Sequence, residues 1–148
     1  MREGPLRFFA ERSDLGVLFI RAVVGFHLIY GTQDNVLSYE RMLEFRDFLA
    51  ARGVPWPLFA AHLSVYAQLL AGILFIVGAA VRWAGLVMVI NFIAAYVIAH
   101  VGDPYPKFFP ALFMLAGAAF FLFHGAGRHS VDYWLERRRA IAARERRG

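Results

Sequence analysis

Cysteine is absent from the 148 residues, which excludes disulfides, thiol–disulfide relays and thiolate-held iron–sulfur clusters. Charge is scarce as well. Asp, Glu, Lys and Arg make up 18% of the chain, against about 25% in an ordinary soluble domain. The sequence contains no nucleophile–base pair, phosphate-binding glycine loop or zinc-type His/Glu motif. These absences argue against an independent enzyme acting on soluble substrates. What is present is apolar: 59% of the residues are hydrophobic and fifteen are phenylalanine. One domain of this length can bury only part of that surface in its own core, so the excess needs lipid to cover it.

Four apolar runs, about 15–32, 58–81, 83–101 and 108–123, stand out along the chain. A spanning helix needs about 20 residues, and the first and fourth runs are near the lower limit. The expectation is an all-α, integral membrane four-helix bundle forming a single domain over 1–148. A cleavable signal peptide is the rival for the first run. Its N-terminal flank, however, mixes Glu3, Glu11 and Asp14 with Arg2, Arg7 and Arg12, and the run ends in Thr32-Gln33-Asp34-Asn35 without a small-x-small site. It is read as a retained helix.

Sidedness follows from the arginines and lysines. Eleven fall on the side holding the N-terminus, Arg82 and the tail from Arg128, and four (Arg41, Arg46, Arg52, Lys107) on the other. The richer side belongs in the cytoplasm, which predicts N-in/C-in topology in a bacterial cytoplasmic (inner) membrane. The net charge of +5 is concentrated in the tail, about 128–148, as a topology and anionic-lipid signal. Nucleic acid is therefore not an expected partner. In the first outside loop, Ser38 can cap a helix over about 38–52 with Met42, Phe45 and Leu49 on one face, ended by Gly53 and Pro55. It either lies along the outer interface or packs on the bundle. The segment Gly53-Val54-Pro55-Trp56-Pro57-Leu58-Phe59 echoes Gly102-Asp103-Pro104-Tyr105-Pro106-Lys107-Phe108. Duplicated hairpins or convergent use of interfacial residues explains it.

Polar side chains within spanning helices normally face the bundle interior or a polar cavity. His27, Gly31 and Asp34 share one face of the first helix, and Ser64, Gln68 and Gly72 form a stripe on the second, with His62 nearer its mouth. Asn91 and His100 lie on the third. From helix rise, His27 is about 18 Å from Leu15, Gln68 about 15 Å from Leu58 and His100 about 25 Å from Trp83. His27, Asp34, His62, Gln68 and His100 then converge in the outer half as a candidate ligand pocket. Three uses compete: interhelical hydrogen bonding, a quinone or small-ligand site, and bis-histidine haem or metal ligation. No His pair has a spacing diagnostic of metal or haem, so no metal site is assigned. Arg21, about 9 Å into the first helix, either snorkels to lipid phosphate or pairs with Asp14 or Asp132. A structural Arg21–Asp132 pair is the preferred expectation.

These residues resemble the DoxX family of small four-helix membrane proteins. Arg21 and Gly25 are similar to its Arg-x-x-x-Gly pattern, and Gly31 to Asp34 to its Gly-x-x-Lys. Gln68 to Gly72 with Gly78 resemble its Glu-x-x-x-Gly and later Gly. Gly125-Ala126-Gly127-Arg128-His129-Ser130-Val131-Asp132 resembles its closing Gly-Pro-Gly-Arg-Tyr-Ser-Leu-Asp, with Gly125, Gly127, Arg128, Ser130 and Asp132 as the retained signature. The likeness runs from about 15 to 135. The family includes small subunits of thiosulfate:quinone oxidoreductases and members of membrane redox complexes. The resemblance thus implies an accessory or quinone-interacting subunit whose partners are lipid and other membrane subunits. A non-catalytic scaffold, or less readily a small oligomeric transporter, is the alternative. Quinone is the cofactor class implied and haem the poorer fit. Asp34 and Gln68 stand where the family often has Lys and Glu, which bears on any chemistry those residues perform.

Overall fold

The computed structural model describes residues 6–146; Arg2 and Arg147, counted for sidedness, and Glu3 of the mixed-charge flank lie outside the described residues. Seven helices follow in order: α1 Arg7–Ala10, α2 Ser13–Leu37, α3 Tyr39–Ala50, α4 Pro57–Val77, α5 Val81–Ala99, α6 Tyr105–His124 and α7 Val131–Glu145. Four of them, α2, α4, α5 and α6, are long and apolar enough to cross a membrane. Their outward faces carry Phe19, Phe26, Phe59, Ile90, Val97 and Phe113 in exposed positions. A water-facing bundle could not sustain that surface, so it is the lipid-contacting one.

The boundaries differ from the sequence expectation where a turn is written in glycine rather than in polarity. The second and third apolar runs nearly abut, with only Arg82 between them. The actual break comes earlier, at Gly78 in the left-handed region (φ 78°), and α5 starts after Ala80, also left-handed (φ 49°). The first spanning helix runs past Thr32 to Leu37, because nothing in Gln33-Asp34-Asn35 breaks a helix before Ser38 turns extended. The basic tail is itself a helix, α7, capped by Ser130, whose hydroxyl accepts from the Tyr133 amide at 3.2 Å.

Two helix pairs build the bundle: α2 packs closely on α4, and α5 on α6, while the α4/α5 and α2/α6 seams are looser. Glycine sets the close pairings. A Cβ on Gly25 would lie 2.7 Å from the Gly72 carbonyl oxygen, and one on Gly72 would lie 2.8 Å from that of Gly25. At Gly85 it would meet the Ala118 carbonyl at 2.9 Å. Such small-residue contacts let helix backbones approach in lipid, where no hydrophobic force favours helix over lipid contact. Val24, Leu28, Phe75, Met88, Met114 and Phe121 fill the centre. Helix α3 lies on α4 through Met42 and Leu49, packed with Ala61 and Val65, so the loop helix does pack on the bundle.

Candidate functional site

The polar groups fall into two sets at opposite ends of the bundle, and their chemistry differs. At the end where α2 begins and α6 finishes, the C-termini of α4 and α6 and the N-terminus of α5 are each met by a side chain of the opposite sign. These side chains together clasp that end. Arg21 is 1% exposed and donates to four backbone carbonyls: Phe75 (2.7 Å) and Ile76 (3.0 Å) in the last turn of α4, and Ala126 (2.8 Å) and His129 (2.9 Å) in the loop before α7. Asp132 accepts from the Ala80 and Val81 amides at 2.7 and 2.9 Å, where α5 begins, and its own amide donates to the Gly78 carbonyl at 3.0 Å. Arg82 donates to the Leu122, Phe123 and His124 carbonyls that end α6. Asp14 accepts from the Arg128 amide at 2.9 Å and approaches its guanidinium at 3.4 Å.

The expected Arg21–Asp132 contact is therefore not made. Each charge serves a helix end instead: the cation takes the orphan carbonyls and negative dipole end of α4, and the anion takes the orphan amides and positive end of α5. Both still fasten the turn around Gly78, where an added Cβ would collide with the Arg21 guanidinium. Gly127 (φ 71°) curls against Asp14, and Ser130 donates to the Gly127 carbonyl while capping α7. A concavity of about 380 Å³ lies here, lined by Asp14, Arg82, Arg128 and Asp132 among others. Asp14, Arg82 and Asp132 are engaged with backbone groups there, and Arg128 turns its Nε toward Asp14, so the concavity belongs to the set of contacts that fastens the helix ends.

The other half of the bundle is different. A cavity of about 250 Å³ is lined by His27, Ser64, Gln68, Asn91, His100 and Pro110, with Phe45 of α3 at its edge. Within it the Gln68 amide donates to the Ser64 hydroxyl at 3.1 Å, and that hydroxyl donates to the Asn91 side-chain oxygen at 2.8 Å. Among the described residues nothing accepts from the Asn91 amide N–H, and no buried side-chain polar atom is without a partner. The amide N–H is thus left with access to space rather than sealed in apolar packing. The His100 ring pairs through Nδ1 with Asp103 at 3.1 Å, which leaves Nε2 for the cavity. Pro110, inside α6, has no backbone N–H to donate.

Of the five residues expected to converge, the structure brings three together: His27, Gln68 and His100. Asp34 is exposed, and its carboxylate accepts from the neighbouring Asn35 amide. His62 sits on another face, bonded to the Leu58 carbonyl at 2.8 Å, stacked on Tyr66, and beside Trp56 and Phe59. A rotation of one residue, about 100° on a helix, separates the inward Ala61 from His62. Ser64 and Asn91 complete the site. Their mid-membrane polarity was visible, but their meeting needed the α4–α5 pairing. Among the described residues no group of three or more His, Cys, Asp or Glu is placed to hold a metal ion.

The DoxX family model matches residues 16–101, more than half of the chain. The chain belongs to the DoxX family. That match spans Arg21, Gly25, Gln68, Gly72, Gly78 and the whole Ser64–Asn91 relay of this DoxX protein, and it stops before the Gly125–Asp132 segment. None of the curated proteins and none of the solved structures matches the chain.

Proposed function

We propose that this DoxX protein is a quinone-interacting accessory subunit of a membrane redox complex, seated in the bacterial cytoplasmic membrane with both termini inside. The observation that carries the reading is the Gln68–Ser64–Asn91 relay. It sets an amide donor at the wall of a cavity within the membrane-spanning region, between two histidines. A quinone has two carbonyl acceptors and no donor of its own, so the Asn91 side-chain N–H and a His27 ring N–H suit it. When bound, the quinone supplies the capacity to take up two electrons and two protons. The chain's residues hold and orient the ring and keep the site dry with Leu28, Phe92 and Met114. Gln68 in place of the family's Glu makes it a neutral link in the relay. This favours binding over proton transfer and, with no nucleophile present, an accessory role over independent catalysis.

The test is quinone binding by purified protein in lipid nanodiscs, together with lipid extraction and an absorption spectrum for haem. Wild type binds, and His27→Ala, Gln68→Ala and Asn91→Ala each weaken binding by about 1–3 kcal/mol, the cost of one lost hydrogen bond in a desolvated site. Absence of binding, or variants equal to wild type, would reject the reading. The second reading is a non-catalytic assembly protein. It is favoured by the clasp, because the signature residues Arg21, Gly78, Ser130 and Asp132 are all engaged in holding helix ends. Copurification with other membrane subunits and no extractable quinone supports it. A small oligomeric transporter requires flux in reconstituted vesicles.

A further inference from the structure

The polar cavity has neighbours along both looser seams. On the α4/α5 side it adjoins a larger groove of about 490 Å³, with Phe48, Leu63, Ile90 and Ile98 along its sides and the small Ala67 and Ala94 among its lining. Phe45, Ser64, Asn91, Ala95 and His100 line both spaces, so the two adjoin across these side chains, the cavity polar and the groove apolar. On the α2/α6 side a smaller opening of about 200 Å³, with Val23 and Phe113, reaches His27. Both openings lie along the looser seams between the two glycine-packed pairs, where close backbone contact is lacking.

The volumes decide what can be held. Small-molecule sites span about 300–1,000 Å³. The cavity alone falls below that range and suits a single ring, whereas the groove falls inside it and offers almost no polar surface beyond the shared residues. We infer that the α3/α4/α5 groove carries the hydrocarbon tail of a long-chain isoprenoid quinone whose ring sits in the Ser64–Asn91 cavity, the ligand passing sideways from the bilayer. This deepens the proposed quinone site and rests on it. The shared residues favour this groove over the α2/α6 opening, because it has the Asn91 donor in its lining and more than twice the volume. Helix α3 acts as its roof through Phe45 and Phe48, which gives the extra loop helix a role.

Lipid tails are as apolar as the groove, so the tail gains little affinity there. What it needs is room. The experiment compares a tail-less benzoquinone with a decaprenyl-type quinone, in nanodiscs of phosphatidylethanolamine and phosphatidylglycerol, with ligand counted as mole fraction in the bilayer. Wild type binds the two within about threefold. Ala94→Phe fills the groove at an exposed position that does not line the cavity. It should weaken the tailed quinone about tenfold or more and leave the tail-less one unchanged, the latter also reporting an intact fold. Equal effects on both ligands, or on neither, overturn the assignment. So does loss of the tailed ligand in Val23→Phe and not in Ala94→Phe, which would send the tail through α2/α6. A groove filled by a phospholipid acyl chain instead gives no difference between Ala94→Phe and wild type with either quinone, and also overturns it. If wild type binds neither, the quinone site itself falls; if it binds only the tail-less one, the groove assignment alone falls.

Discussion

Arg21 is the costliest residue in the bundle to bury and among the most fully satisfied. A guanidinium has five N–H donors in a fixed fork, and four carbonyls in two separate segments receive from it. Lysine, a point charge with three donors, cannot span the end of α4 and the Ala126–His129 loop together. Arg21→Lys should therefore lose about 1.5–3 kcal/mol for each charge-assisted bond given up, seen as a lower Tm in detergent. Arg21→Ala should be worse still, and an unchanged Tm for both would refute the clasp. The sequence marked Arg21 as unusual because a charge in an apolar run is rare. The partner it suggested, Asp132, was the right neighbourhood and the wrong contact. Charge complementarity is visible in a sequence, whereas orphan carbonyls at a helix end appear only once the helix is known to end at Val77.

At the scale of elements, the helices are organised by their ends and by two glycine crossings. Gly25→Ala or Gly72→Ala brings a methyl within 2.7–2.8 Å of a facing carbonyl oxygen and should destabilise by about 1–3 kcal/mol through overpacking. Gly16→Ala meets nothing within 4 Å, and removing a helical glycine should stabilise by up to about 1 kcal/mol. Thermal unfolding of the three variants side by side checks this; equal effects would mean that the crossings are not tight. Asp132→Ala should cost about 0.5–2 kcal/mol as a lost N-cap of α5. Apolar periodicity gave the four spans and the Ser38-capped α3. It placed the α4/α5 turn too late, because Gly78 and Ala80 turn the chain without any polar residue to announce it. Arg82 was legible only as a topological charge, and its hold on the end of α6 depends on how α5 and α6 pair.

The whole molecule divides its polar residues by purpose. Arg21, Arg82 and Asp132 at the terminal end close helix ends; His27, Ser64, Gln68, Asn91 and His100 in the other half line a space. The absence of cysteine makes sidedness directly testable. In intact cells a membrane-impermeant maleimide should label Arg52→Cys, and label Arg138→Cys only after permeabilisation; the reverse pattern would invert the topology. Five residues were expected in one pocket, and His27, Gln68 and His100 share it. Helical rotation removed His62, and Asp34 lies exposed beyond the cavity toward the end of α2. No periodicity argument fixes rotation about a helix that is apolar nearly all round, as α4 and α5 are.

The proposed division between a structural end and a quinone-holding half is tested most directly by photolabelling membranes containing the protein with an azido-quinone and mapping the modified peptides. Label on the Ser64–Gln68 and Asn91–Ala95 stretches, suppressed by excess unmodified quinone, is the predicted result. Label confined to the end of the bundle that holds Arg82, Gly125 and Asp132, or none that the competitor displaces, would contradict it.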